Sequence, residues 1–248
     1  MKTKSWAIAT VFAVAAVSNA TQFRVDWTNH GPQPLSPLFW SVGNTSFDIF
    51  KVGTAASAGI KAIAEGGNTT PMLALASAAG SNLQAYGVLT GGPLLPGLTR
   101  SAIIDVNSGD DYFQFAMMLG KTNDGFLGES VSSMGLRLFN GLVAQGFSID
   151  LFGARAWDAG TELNTQNAAD LGFLGGSGNP QESAGMDVVR VHSSVIPNVG
   201  DSWAQMPDWA NDTHLSTLTV RPVPEPGSLA AISLGIAGLI VRRKTKSR

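Results

Sequence analysis

The stretch "ARAWDAGTELN", Ala154 to Asn164, sets two acids, Asp158 and Glu162, around an Ala-Gly-Thr run directly behind Trp157. Three chemistries fit that pattern. A carboxylate pair could act as acid and base on a glycosidic bond, provided the two flank a sugar cleft at a fixed separation. Carboxylates could instead give hard oxygens to calcium, which takes six to eight of them in a flexible shell. Or the acids could serve a turn at a strand end by accepting backbone N–H bonds.

Other candidate motifs fail on spacing. "GKT" at Gly120 to Thr122 lacks a phosphate loop's first glycine, because Phe115 stands five positions before Gly120. "GGSGN" around Ser177 has neither the flanking glycine nor the strand-to-helix setting of a nucleophile elbow. His30, His192 and His214 are far apart, and none forms a zinc-protease pair; His192 reads as a packed strand residue. "DVNSGDD" begins like a calcium loop, but Ala116 stands where that loop needs glutamate, so it reads as an acidic turn.

The elements that would position these residues are strands. "FRVDWTN" alternates, with Phe23, Val25 and Trp27 on one face; so do Phe113, Phe115 and Met117, then Phe147, Ile149 and Leu151. Val189 pairs with Val191, and Leu218 with Val220, on the same period. Gly, Asn, Asp and Pro clusters separate these runs, which predicts an all-β, antiparallel β-sandwich. One Ala-rich region breaks the pattern. Thr54 to Glu65, stopped by Gly66-Gly67, predicts one short helix. A second follows, capped by Thr70, opened by Pro71 and ended by Gly80. Such inserts are expected to cover one end of the sandwich.

Both ends of the chain read as processing signals. Lys2 and Lys4 precede an apolar run from Trp6 to Val17, then Ser18 and Ala20, the order of a secretory signal peptide cleaved after Ala20. The apolar run, about 12 residues, is too short to span a bilayer. At the other end Pro224-Glu225-Pro226 leads into an apolar segment, Ser228 to Val241, expected as a hydrophobic transmembrane helix, and a tail carrying Arg242, Arg243, Lys244, Lys246 and Arg248. A basic end of that kind stays cytoplasmic. This tail resembles the PEP-CTERM sorting signal of Gram-negative bacteria. The resemblance implies transient membrane insertion, recognition by an exosortase, and release to the cell envelope or an extracellular polysaccharide matrix. The expected organisation is a signal at 1–20, a sandwich over 21–200, loop, strand and linker over 201–223, and a sorting segment over 224–248.

Composition agrees with export. The chain has no cysteine, so its core must hold it without disulfides. Its net charge of −2 includes the basic tail, so the mature domain is distinctly acidic and unsuited to nucleic acid. Charged residues make up only 14 %, and 29 glycines favour turn-rich β structure over long solvated helices.

Five blocks in order, "FRVDWTNHGPQPLSPLFW", "FDIFKVGTAASAGIKAIAEGG", "FAMMLGKTNDGFLG", "AWDAGTELN" and "VVRVHSS", resemble the spondin N-terminal domain family over about Phe23 to Ser194. The resemblance implies an extracellular sandwich similar to calcium-dependent lipid-binding domains, with a calcium ion among the loops at one end. The family's acidic ligands match Asp124, in "TNDGF", and Asp158, and a main-chain carbonyl near Arg155 would add another oxygen. Two aspartates from different loops, so brought together, could seed a calcium shell, and Gly125 and Gly160 near them would let the backbone aim carbonyls inward. Without a cation such a pair would repel and raise each other's pKa, so binding would stabilise the fold. "GARA" before Trp157 departs from the family's apolar or proline-containing approach. Glu162 could ligate through water, cap a turn or face solvent. The function expected is a non-catalytic, calcium-stabilised adhesion or matrix-binding module, contacting polysaccharide or surface proteins. A glycan hydrolase using Asp158 with Glu162 or Asp124 is the alternative; the sequence shows no aromatic-lined cleft for it, although Trp157, Trp203 and Trp209 could contribute to one. A purely structural matrix protein is the third reading.

Overall fold

The computed structural model describes residues 20–107, 109, 111–165, 167–171, 175–177, 188–192 and 209–224. In chain order, β1 (Thr21–Asn29) and β2 (Leu38–Gly43) precede two helices, α1 (Ala58–Gly66) and α2 (Thr70–Ala78). Then follow β3 (Leu83–Leu89), β4 (Thr99–Val106), β5 (Tyr112–Met118), β6 (Gly125–Glu129), β7 (Leu136–Arg137), β8 (Phe139–Asn140) and β9 (Val143–Ala144). Last come β10 (Phe147–Phe152), β11 (Ala156–Asp158), β12 (Arg190–Val191) and β13 (His214–Pro222).

The strands make two antiparallel sheets, β10-β13-β1-β4 and β12-β11-β6-β5-β2-β3, with β7 beside β5 and β8–β9 as a separate hairpin. Between the sheets lies the main core. Phe23, Val25 and Trp27 of β1, Leu218 and Val220 of β13, and Phe113, Phe115 and Met117 of β5 are all essentially inaccessible. The expected all-β sandwich is therefore the observed one. β13 pairs with both β1 and β10, so the segment at 201–223 supplies an inner strand of the first sheet.

The helices are placed differently from expectation. They cover a face of the second sheet, not an end of the sandwich: Ile60, Ile63 and Met72 pack with Phe39, Ala116 and Phe126 in a second core. β5 is consequently buried on both faces over most of its length. α1 begins at Ala58, four residues later than the pattern suggests, because Ser57 is its cap and accepts from Ile60 N–H at 3.2 Å. α2 is served by Asn68, whose side chain accepts from Thr70 N–H at 3.0 Å, and it ends at Ala78. Val189 and Val191 do not share a face. Val189 is buried in the second core, while Val191 is exposed on a two-residue strand.

Candidate functional site

β6 and β11 run antiparallel with Asp158 opposite Gly125, which brings Asp124 and Asp158 to the same corner of the second sheet. Ala159 N–H extends the contact by donating to the Asp124 carbonyl at 3.0 Å. The approach is tight at Gly125, where any Cβ would overlap the Thr122 side chain and press on His192. Thr122 Oγ1 accepts from Gly125 N–H at 2.9 Å, so a hydrogen bond fills the space a larger residue would need.

Each aspartate ties down the loop that follows β11. Asp124 Oδ2 accepts from the N–H groups of Thr161 at 2.7 Å and Glu162 at 3.0 Å. Asp158 Oδ1 accepts from Gly160 N–H at 2.7 Å, and its Oδ2 accepts from Asn164 at 2.9 Å. Asn123 adds a further tie, its carbonyl oxygen accepting from Thr165 N–H at 3.2 Å. Arg190, opposite Asp158 on β12, pairs with Oδ2 at 3.3 Å. Asp158 is thus neutralised from within the chain, while Asp124 Oδ1 is buried with no hydrogen-bond partner among the described residues.

The electrostatics follow from that burial. Loss of hydration, and then the charge of Asp158, push the Asp124 carboxyl up to about 6 despite the two amides and Arg190 that favour its anion. Burial holds the His192 imidazole down at about 4, keeping it neutral against Trp209, with ring centroids 5.2 Å apart. The Glu162 carboxyl is pushed up to about 8, first by burial, then by Glu65 and Asp124, with Lys61 opposing. Its electrostatic neighbours therefore include two residues of α1, and Glu65 also lines a cavity of about 380 Å³ with Pro34, Ser36, Gly67, Pro93 and Met118.

The remaining expected residues are distributed as follows. Arg155 closes a 3-10 turn, and its guanidinium pairs with the buried Glu129. It stands three residues before Asp158, about 10 Å back along the strand direction. Among the described residues no three or more His, Asp and Glu side chains group where they could hold a metal ion. Trp157 and Trp209 are core residues, 8 % and 2 % exposed, with the Trp157 indole N–H donating to Gly128 O at 2.9 Å. Trp203 lies outside the described residues, as do the signal segment before Ala20 and, beyond Pro224, Glu225, Pro226 and the apolar tail. Among the described residues no helix is long and apolar enough to cross a membrane. Sequence reasoning missed Arg190, Asn164 and Thr161, whose roles depend on strand register and loop closure.

Residues 222–244 match the PEP-CTERM protein-sorting motif, which begins on the last residue of β13. That motif implies an exosortase as the processing partner and sorting to the cell envelope or extracellular space. A search of curated proteins gives no match.

Proposed function

We propose that this chain is a non-catalytic binding module, exported by an N-terminal signal cleaved after Ala20 in a Gram-negative host. An exosortase then sorts it into the envelope or exopolysaccharide matrix, where it contacts polysaccharide or surface proteins. The observation that carries this reading is the continuity of sandwich and motif. β13, an inner strand, ends at Pro222, where the sorting motif starts, so no second folded unit stands between them. The adhesive role rests on the resemblance of the five sequence blocks to the spondin N-terminal domain. Deleting Pro224-Glu225-Pro226 tests the sorting. Retention of the protein in the cell is expected, and unchanged surface release would sink the reading.

Calcium at the acidic corner belongs to the same proposal. Its donors are carboxylate oxygens, the type calcium prefers, and the oxygen available to it is Asp124 Oδ1. Asp158 would contribute only by giving up Arg190 or Asn164, and Glu162 through water from the α1 side. When bound, the ion would supply positive charge that holds Asp124 ionised and closes the loop from Ala159 to Thr165. Thermal melting with calcium and with a chelator checks this. Calcium should raise the Tm of the wild type and leave Asp124→Asn unmoved.

A further inference from the structure

Both chain ends leave the sandwich together. Thr21 opens β1 opposite Val106, and Phe23 pairs with Pro222, two residues before Pro224. The β8–β9 hairpin lies at this same end. Its Phe139 packs edge-on against Phe23 at 5.3 Å, and its exit strand begins with Phe147 opposite Val220. Gly146 fixes the joint: it holds a φ of +66°, and a Cβ there would overlap the Val220 carbonyl. Gln145 and Gly146 N–H groups both donate to Leu138 O, at 2.9 and 3.1 Å.

The hairpin tip is apolar and open to solvent. Gly141, with φ +59°, makes the tight turn, and Leu142 and Val143 are 83 % and 69 % exposed, well beyond any other large apolar side chain among the described residues. From Leu138 to Phe147 the sequence carries no charge. Nothing in the fold requires a leucine and a valine there, since the buried base of the hairpin is Phe139.

We infer that Leu142 and Val143 dip into the lipid bilayer beside the sorting tail and hold this end of the sandwich against the membrane before the tail is cut. The inference rests on the sorting reading above, together with the membrane insertion of Ser228 to Val241 that the resemblance to the sorting signal implies. From Pro222 to Ser228 the chain can reach at most about 20 Å, so a tail in the bilayer keeps Phe23, Pro222 and the base of the hairpin within that distance of the membrane. An uncharged loop tip with two exposed apolar side chains suits the boundary between headgroups and acyl chains, where an acidic tip would be repelled by anionic lipid. The acidic corner faces the other way. Asn29 ends β1 and donates to Gln33 O and Leu94 O, and Gln33 Oε1 accepts from Lys121 N–H, three residues from Asp124. β1 alone spans about 26 Å between the two ends, so seating the hairpin turns the corner outward while the chain is still anchored.

The absence of cysteine makes the test clean. Full-length protein carrying the tail is reconstituted in vesicles of phosphatidylethanolamine and phosphatidylglycerol, with one polarity-sensitive fluorophore at Val143→Cys, Leu163→Cys or Ser228→Cys. Val143 and Leu163 are exposed, so labelling there leaves the cores intact, which a matching Tm verifies. With quencher-bearing lipid, emission at 228 and at 143 should be roughly halved, and emission at 163, in the acidic corner, should be unchanged. Quenching at 228 without quenching at 143 overturns the hairpin contact and leaves the sorting reading standing. No quenching at 228 removes both. A blue shift at 143 that lipid quenchers do not touch means that protein covers the tip, and overturns the inference. As a second variant, Leu142→Asn in the Val143→Cys background should abolish quenching at 143 and keep that at 228.

Discussion

The acidic corner is stabilised residue by residue through hydrogen bonds that the chain makes to itself. Arg190 stands where an external cation would otherwise be needed beside Asp158, which is 1 % exposed. Replacing Arg190 with Leu should therefore cost about 1–3 kcal/mol, read from denaturant unfolding, because a buried carboxylate loses a charged donor. Asp158→Asn in the same background should recover part of that loss. Glu162 gives a pH signature. With its carboxyl held up at about 8, the folded state binds this proton more tightly than the unfolded chain. The stability so gained is present below the ordinary glutamate range and is lost as pH rises towards 8. The Tm should fall over that interval, and Glu162→Gln should flatten the fall. His192 acts in the opposite sense, costing stability as pH drops below its ordinary value towards 4, but it is common to both proteins and cancels in the comparison. The pairing of Asp124 with Asp158 was legible in the sequence only through the resemblance to the spondin N-terminal domain, which aligns both as acidic loop positions; the register of β6 on β11 brings them to one corner. Arg190 was not, since its place depends on the register of a strand only two residues long.

At the scale of elements, alternation located the strands and misjudged what covers them. Phe113, Phe115 and Met117 face the sandwich core as their spacing requires, yet Gln114 and Ala116 between them are equally buried. Gln114 is satisfied there by donating to Phe47 O at 2.7 Å and accepting from Ile49 N–H at 3.1 Å. A period of two says which residues share a face; it does not say whether a helix lies on the other. The helices' C-terminal ends were legible to within two residues from their glycine stops, but the start of α1 and the caps turned on backbone hydrogen bonds accepted by Ser57 and Asn68 that pattern alone does not rank. β6 and β11 join closely only because Gly125 has no side chain. Gly125→Ala should destabilise the protein by about 1–3 kcal/mol through overpacking against Thr122 and His192. The same variant should weaken any calcium response, because Asp124 is the next residue. Circular dichroism melts with and without calcium separate the two effects.

For the whole molecule, topology fixes an orientation. The start of β1 at Thr21 and the start of the sorting motif lie at one end, and the acidic corner occupies the other. In the proposed orientation the acidic corner points outward while the chain is tethered, and trimming within the motif leaves the sandwich intact, since β13 ends as the motif begins. Composition had already indicated a disulfide-free β domain. The geometry adds that the sorting motif and the hairpin share one end, which under the proposal above is the end that meets the membrane. Binding should follow the same polarity: in a glycan and cell-surface screen of the released protein, Asp124→Asn should lose ligand while Leu142→Asn keeps it. The central claim is exosortase-dependent delivery, and terminal mass analysis of the released protein tests it most directly. In cells with the exosortase, the protein should begin at Thr21 and lack the tail from Ser228 to Arg248; without the enzyme, that form should vanish. Release of a chain still ending in Arg248, or of the trimmed form in cells lacking the exosortase, would contradict the account.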